Sequence, residues 1–306
     1  MSAPAIGLVG CGRWGRNILR DLIQQGCRVA VATRSDESAA AARAGGACEV
    51  VRHAGDLPAA LDGLVVATPT ATHAEVVHSI LDRGLPVYVE KPLAADLEQV
   101  RHIARLALGR VFVMHKWRFH PGVEALAAVA RSAEFGAVRG LQTFRLGWGN
   151  PHRDVDAAWI LLPHDMSIVL HVLGYVPGPV SARWDPLGKP GDGLAGELRG
   201  KNSLRVSVAV SSRHPENRRA VVLACERGSV AMTGSNDQTL AVRHADGSEE
   251  KRVLPVCAQP LYRELEAFTG HLRGGPPPLT GLEQELSIIE TIVRLRELAD
   301  ISAAEP

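Results

Sequence analysis

The sequence has almost no excess of either charge. Its 306 residues carry 34 Lys and Arg against 33 Asp and Glu, a formal net charge of +1. That balance provides no electrostatic case for a nucleic-acid partner or an anionic membrane surface. Long apolar runs are also missing, and none approaches the roughly 20 residues that a membrane-spanning helix needs. Cysteine is sparse: Cys11, Cys27, Cys48, Cys225 and Cys257 are odd in number, widely spaced and form no Cys-x-x-Cys pair. A disulfide framework is therefore not expected, and a reduced, cytoplasmic location is. No secretory leader is read ahead of the first apolar segment. The His residues show no His-Glu-x-x-His and no other zinc-like spacing, so no metal is expected. No internal repeat is found.

Apolar material, by contrast, is ample. Hydrophobic residues make up 46% of the chain, enough for a full core, and the length suits two domains. The chain opens on an apolar strand, Ala5 to Val9, followed by Gly10-Cys11-Gly12-Arg13-Trp14-Gly15 and a helical run to about Gln25. Gly-x-Gly-x-x-Gly between a strand and a helix is the dinucleotide-binding fingerprint in its required setting. Gly10 permits the tight turn, Gly12 lets the backbone approach a pyrophosphate, and Gly15 brings the helix close to the strand. The helix start then offers N–H groups and a positive dipole end to phosphate. Without those flanking elements the glycines would make only a turn.

Further apolar strands are read at 28–33, 48–51, 63–68, 86–89 and 110–114, with helices between them. After Arg118 the pattern changes. A helix near 122–133, a strand at 138–147 and a helix at 164–173 precede short alternating strands at 204–210, 220–225, 229–232, 239–244 and 250–254. Two helices, 260–273 and 282–300, close the chain. The expected fold is α/β: a Rossmann-like doubly wound parallel sheet over residues 1–118, followed by an α+β domain with a predominantly antiparallel open sheet over 119–306. The glycine-rich stretch 189–200 reads as a mobile loop. An open apolar sheet face is commonly a subunit interface, so a homodimer or homotetramer is expected.

Three further segments suit chemistry. Thr68-Pro69-Thr70 and His73 follow the fourth strand at its carboxyl end, where open α/β sheets bind ligands. In any case Pro69 turns the chain there, and Thr72 is expected to cap the next helix. Glu90-Lys91-Pro92 ends the fifth strand at the same rim. Alone it would be an exposed ion pair; beside a nucleotide, Lys91 can hydrogen-bond a substrate oxygen and a nicotinamide ribose hydroxyl. Pro163-His164-Asp165 opens the helix expected at 164–173. His164 then lies in the first turn, where the dipole favours a neutral imidazole able to act as a base, and Asp165 serves as a capping group. A lone His is more often structural.

Together these segments resemble the Gfo/Idh/MocA family, named after glucose–fructose oxidoreductase and inositol dehydrogenase. The landmarks are the opening glycines, Ala67-Thr68-Pro69 with His73, Glu90-Lys91-Pro92, Lys116-Trp117-Arg118-Phe119-His120-Pro121, Pro163-His164-Asp165 and Pro260 to Phe268. They follow in the family's order along nearly the whole chain. The resemblance implies a nicotinamide-dependent dehydrogenase or reductase acting on CH–OH groups of sugars, cyclitols or nucleotide-linked sugars. It implies cofactor contacts from Gly10, Gly12, Arg13, Trp14, Gly15, Thr33, Arg34, Ser35, Thr68, Pro69, Thr70, His73, Glu90 and Lys91. Lys91 and His164 become the catalytic pair, one stabilising charge on the substrate oxygen and the other taking its proton, in either assignment. Substrate contacts are expected from Lys91, Arg118, His152, Trp159 and His164, with simple packing the plain alternative for Trp159.

Two departures from the family pattern matter. Ile160 stands where many members carry an Asp four residues before the active-site His. The second strand ends in Thr33-Arg34-Ser35 rather than an acid, which favours NADP over NAD; Asp36 is the counter-candidate. An NAD-dependent glycosidase of the same fold and a non-catalytic NAD(P)-binding regulator stay open as alternatives.

Overall fold

Backbone hydrogen bonding in a computed structural model of the protein describes residues 3–150 and 155–304. His152, an expected substrate contact, lies outside the described residues. In order, the chain forms β1 (Ala5–Val9), α1 (Gly15–Gln24), β2 (Arg28–Ala32), α2 (Asp36–Ala44), β3 (Glu49–Val51), β4 (Gly63–Val66), α3 (His73–Ile80), β5 (Val87–Glu90), α4 (Leu97–Ala107) and β6 (Val111–Met114). There follow α5 (Pro121–Ser132), β7 (Val138–Trp148), α6 (Ala157–Leu173), β8 (Gly178–Trp184), β9 (Gly193–Arg199), β10 (Arg205–Ser211), β11 (Arg213–Cys225), β12 (Gly228–Met232), β13 (Thr239–His244), β14 (Glu249–Val253), α7 (Pro260–Leu272) and α8 (Leu282–Ala304). No described helix is long and apolar enough to cross a membrane.

Two compact units result. The first holds the residues up to 116 together with 258–286; the second holds 117–257 and the residues from 287 onward. The division expected at 118 is a single cut, whereas the chain leaves the first unit after 116 and returns to it over residues 258–286. That return has a packing cause. Leu261, Leu265 and Phe268 form the apolar stripe of α7 and join Ile18, Leu22 and Tyr88 in one buried cluster. The Tyr88 and Phe268 rings lie 5.0 Å apart.

In the first unit six parallel strands run in the order β3-β2-β1-β4-β5-β6. β4 is buried on both faces, as its unbroken apolar run requires. The strand order reverses between β1 and β4, so their carboxyl ends form the switch point at which doubly wound sheets bind ligands.

The second unit has eight strands in the order β14-β13-β12-β11-β7-β10-β9-β8. All neighbours are antiparallel except β7 and β10. α6 packs on β7, β9 and β10, and α5 on β11 and β12. Two expectations need correction. The stretch read as a glycine-rich loop contains β9, a strand between β8 and β10. Its Gly196 is small because a side chain there would begin 2.6 Å from a methyl of Leu295; the glycine serves close packing, not mobility. α6 begins at Ala157, about two turns before the expected start. Asp156 caps it by accepting the Trp159 N–H at 3.0 Å. Pro163 sits inside the helix, where it has no N–H to offer the Trp159 carbonyl.

Candidate cofactor and substrate sites

At the end of β1 the backbone of Gly10 has φ 95°, and a side chain there would begin 2.6 Å from the Ala67 carbonyl oxygen. At Gly15 the same test meets the Gly10 carbonyl oxygen. These two glycines let loop, strand and helix touch. Gly12 differs, with nothing within 4 Å of where a side chain would start. The neighbouring start of α1 has no side-chain cap and no acidic residue in its first turn. A glycine facing open space beside an uncapped helix start is a fitting cradle for a dinucleotide diphosphate. Arg13 is exposed on this loop.

The adenosine end is set by β2 and β3. Thr33 is buried, its N–H bonded to the Val51 carbonyl at 3.0 Å. Arg34 and Ser35 are exposed, and Ser35 Oγ caps α2 by accepting the Ser38 N–H at 3.1 Å. Arg52, which follows β3, donates to the Arg34 carbonyl at 2.7 Å and to Asp36. That guanidinium holds the Asp36 carboxyl below its ordinary range. Arg52 was invisible as a site residue in the sequence, because only strand pairing sets it beside Arg34.

The loop after β4 carries Thr68, exposed Pro69 and buried Thr70. The Thr72 hydroxyl makes no cap for α3; it donates to the Pro69 carbonyl at 2.8 Å. His73 is 1% exposed, and its two ring nitrogens each lie 2.8 Å from a backbone carbonyl oxygen, one of Pro92 and one of Thr68. Its ring thus ties the two loops together and presents no free nitrogen to a cofactor, which corrects the expected contact. Burial pushes its pKa down, against the opposing effect of the Pro92 and Thr68 carbonyl acceptors.

The Glu90 carboxylate accepts from Trp14 Nε1 and, at 3.2 Å, from the Lys91 N–H. Trp14 is thereby tied to the Lys91 loop, and Lys116 Nζ lies 4.4 Å from the centre of its ring. Behind them Glu264 of α7 is 1% exposed. Burial, and then the charge of Glu90, push its carboxyl well above the ordinary range. A signal for Glu264 was present: it occupies the same helical stripe as Leu261, Leu265 and Phe268.

The second unit holds the other expected residues. His164, half-buried, meets the Trp117 ring edge-on at 6.4 Å. Trp117 stacks on His120 at 5.1 Å, and the Arg145 guanidinium lies 4.6 Å from its ring centre. Arg145 is ion-paired to Asp165 at 2.8 Å, both side chains being buried. Asp165 is therefore a buried partner of Arg145 and not a helix cap. His164 lies beyond the first turn, so the dipole argument for its neutral form does not apply. Trp159 is 8% exposed and faces the Arg296 guanidinium at 5.4 Å, while Arg296 pairs with both oxygens of Asp156. That geometry favours the packing reading of Trp159. Arg118 is 6% exposed. Its charge bears on His171, whose pKa falls to about 4, first through burial and then through Arg118. Arg118 is thus a buried side chain of the second unit.

A family profile described as an oxidoreductase family with an NAD-binding Rossmann fold matches residues 5–113. The chain is 30% identical over 180 residues to a UDP-N-acetylglucosamine 3-dehydrogenase of Acidithiobacillus ferrooxidans, covering 58% of this chain and 56% of that protein. It is 32% identical over 181 residues to an inositol 2-dehydrogenase of Saccharopolyspora erythraea, covering 55% of this chain and 53% of that one. The matches thus span about half the length of these curated relatives. A solved structure of the UDP-N-acetylglucosamine 3-dehydrogenase from A. ferrooxidans superposes with a TM-score of 0.83 at 24% identity, covering 98% of this chain and 99% of that one; at that identity the likeness is one of fold. The glycine cradle and the sheet order agree with these matches, and over residues 5–113 the chain is similar to the oxidoreductase family with an NAD-binding Rossmann fold.

Proposed function

We propose that this protein is an NAD(P)-dependent dehydrogenase or reductase acting on a secondary alcohol, or the matching ketone, of a sugar, cyclitol or nucleotide-linked sugar. The observation that carries the reading is the open face of Gly12 at the uncapped start of α1, with the Lys91 loop held at the carboxyl end of β5 in the same sheet. Gly10, Gly12, Arg13 and Gly15 hold the diphosphate, and Thr68, Pro69, Thr70, Glu90 and Trp14 shape the remaining wall. A dinucleotide held there would supply a nicotinamide as hydride acceptor for the carbinol carbon, or as donor in the reverse direction.

Lys91 donates a hydrogen bond to the reacting oxygen and stabilises negative charge on it as its proton leaves. His164 receives that proton in the oxidation direction and returns it in the reduction. Arg34, seconded by Arg52, favours the adenosine 2′-phosphate of NADP, and Arg52 holds Asp36, the acid that would otherwise serve the ribose hydroxyls of NAD.

Fluorescence titration of nucleotide-free protein with NADPH and NADH tests this reading. NADPH is expected to bind more tightly, and Arg34→Ala to weaken it by about 10- to 100-fold, the worth of a charged hydrogen bond. Tighter NADH would return the ribose contact to Asp36, and binding of neither would remove the proposal. Release of a sugar from an aryl glycoside, with no net change in reduced-nicotinamide absorbance, would transfer the reading to an NAD-dependent glycosidase.

A further inference from the structure

The loop that carries Lys91 is held at three consecutive residues. Glu90 Oε2 accepts the Lys91 N–H at 3.2 Å. A His73 ring nitrogen lies 2.8 Å from the Pro92 carbonyl oxygen. Glu285 Oε1 accepts the Leu93 N–H at 3.2 Å. The first two groups flank the nucleotide cradle. Glu285 comes from the first turn of α8, 192 residues further along the chain. Its other oxygen, Oε2, receives a hydrogen bond from His115 Nε2 at 2.8 Å, and both side chains are 0% exposed.

A buried carboxylate is a poor means of stabilising a fold, because an apolar residue of similar volume does as well or better. The surroundings call for such a residue. Leu282, Ile289 and Ile292, on the same face of α8, are all at most 1% exposed. A carboxylate supplies two things that a leucine cannot: an acceptor fixed opposite the Leu93 N–H, and a second oxygen by which His115 holds that acceptor in place.

We propose that Glu285, oriented by His115, is a positioning residue for Lys91, setting the ammonium through the backbone of Leu93. This rests on the reading of Lys91 as the amine that meets the reacting oxygen. It is tested on Lys91 itself, so that the two can fail separately. The full-length protein and its Glu285→Leu and Glu285→Gln variants are labelled with acetic anhydride, and modification of Lys91 is followed by peptide mass spectrometry against exposed Lys201. Cooperative thermal transitions confirm that the variants are folded.

Glu285→Leu is expected to speed Lys91 labelling at least ~3-fold by releasing the loop. Glu285→Gln, whose amide oxygen still accepts the Leu93 N–H, is expected to stay within about 2-fold of the unaltered protein. Unchanged labelling in a folded Glu285→Leu protein overturns the proposal, as does a Gln variant that behaves like the Leu variant. Leu93 amide exchange in the unaltered protein adds a test that carries no folding risk. It should be as slow as exchange in β5, and exchange typical of an unheld loop overturns the proposal. Loss or retention of turnover in Lys91→Ala decides the separate question of what Lys91 does.

Discussion

Glu90 connects Trp14 to the Lys91 loop, since one of its oxygens takes the Trp14 indole N–H and the other the Lys91 N–H. The Lys91 side chain therefore extends from a backbone that is already pinned. Lys91→Ala should lower turnover by about 10²- to 10³-fold, as removal of a charge-stabilising donor does, while NAD(P)H affinity stays nearly unchanged. Steady-state rates set against fluorescence titrations would check this, and unchanged turnover would end the assignment. Glu264 gives a second prediction. Its carboxyl keeps its proton well above the usual 4.5 in the folded protein. Its contribution to stability is thus complete below that value and is lost as pH rises through the raised pKa. Glu264→Gln, which cannot ionise, should match the unaltered protein in acid and exceed it in alkali. Thermal midpoints between about pH 5 and 9 measure this, and two parallel curves would refute it. Residues of this kind were partly legible: the glycines, Lys91 and His164 declare themselves by motif and Glu264 by its place in the stripe of Leu261, Leu265 and Phe268, whereas the role of Glu285 depends on the distant Leu93 N–H.

Among the elements, α6 departs furthest from expectation. Its Asp156 cap follows from local chemistry, whereas the interior position of Pro163 does not. The sequence reading placed proline at the helix start, where that residue is favoured, and burial of Ala157 to Ile160 overrode the preference. Pro163→Ala restores a donor to the Trp159 carbonyl and should stabilise the protein by about 1–3 kcal/mol. Urea denaturation measures this, and destabilisation would show that the buried ring is worth more in packing than the missing bond. Arg145→Met, a substitution on β7, leaves the Asp165 carboxylate of α6 buried without its ion partner. Breaking such a pair costs about 3–5 kcal/mol, again readable by urea denaturation. β9 escaped notice because its glycines read as loop, although Gly196 is small where Leu295 approaches.

At the scale of the whole molecule, the first unit is discontinuous in sequence. A fragment ending at residue 118 lacks Leu261, Leu265 and Phe268, each worth about 1.5–3 kcal/mol of burial. Against a total stability of about 5–15 kcal/mol, that loss should abolish cooperative melting. A sharp thermal transition in the isolated fragment would contradict this. On the second unit, Phe144, Ala195, Ser207 and Ala209 line an open depression on the sheet. An uncovered sheet face of this kind supports self-association, and light scattering should return at least twice the 32.7 kDa of one chain. By itself the sequence determined the parallel sheet, the glycine cradle and the Lys91 and His164 motifs, because each is written in contiguous residues as local periodicity or turn chemistry. The tertiary structure alone decided the return of α7 to the first core, the pairing of Arg52 with Arg34, the Arg145–Asp165 pair and the Glu285 hold on Leu93. Those depend on contacts between residues far apart in the chain, and their partners become neighbours only when the strands and helices pack.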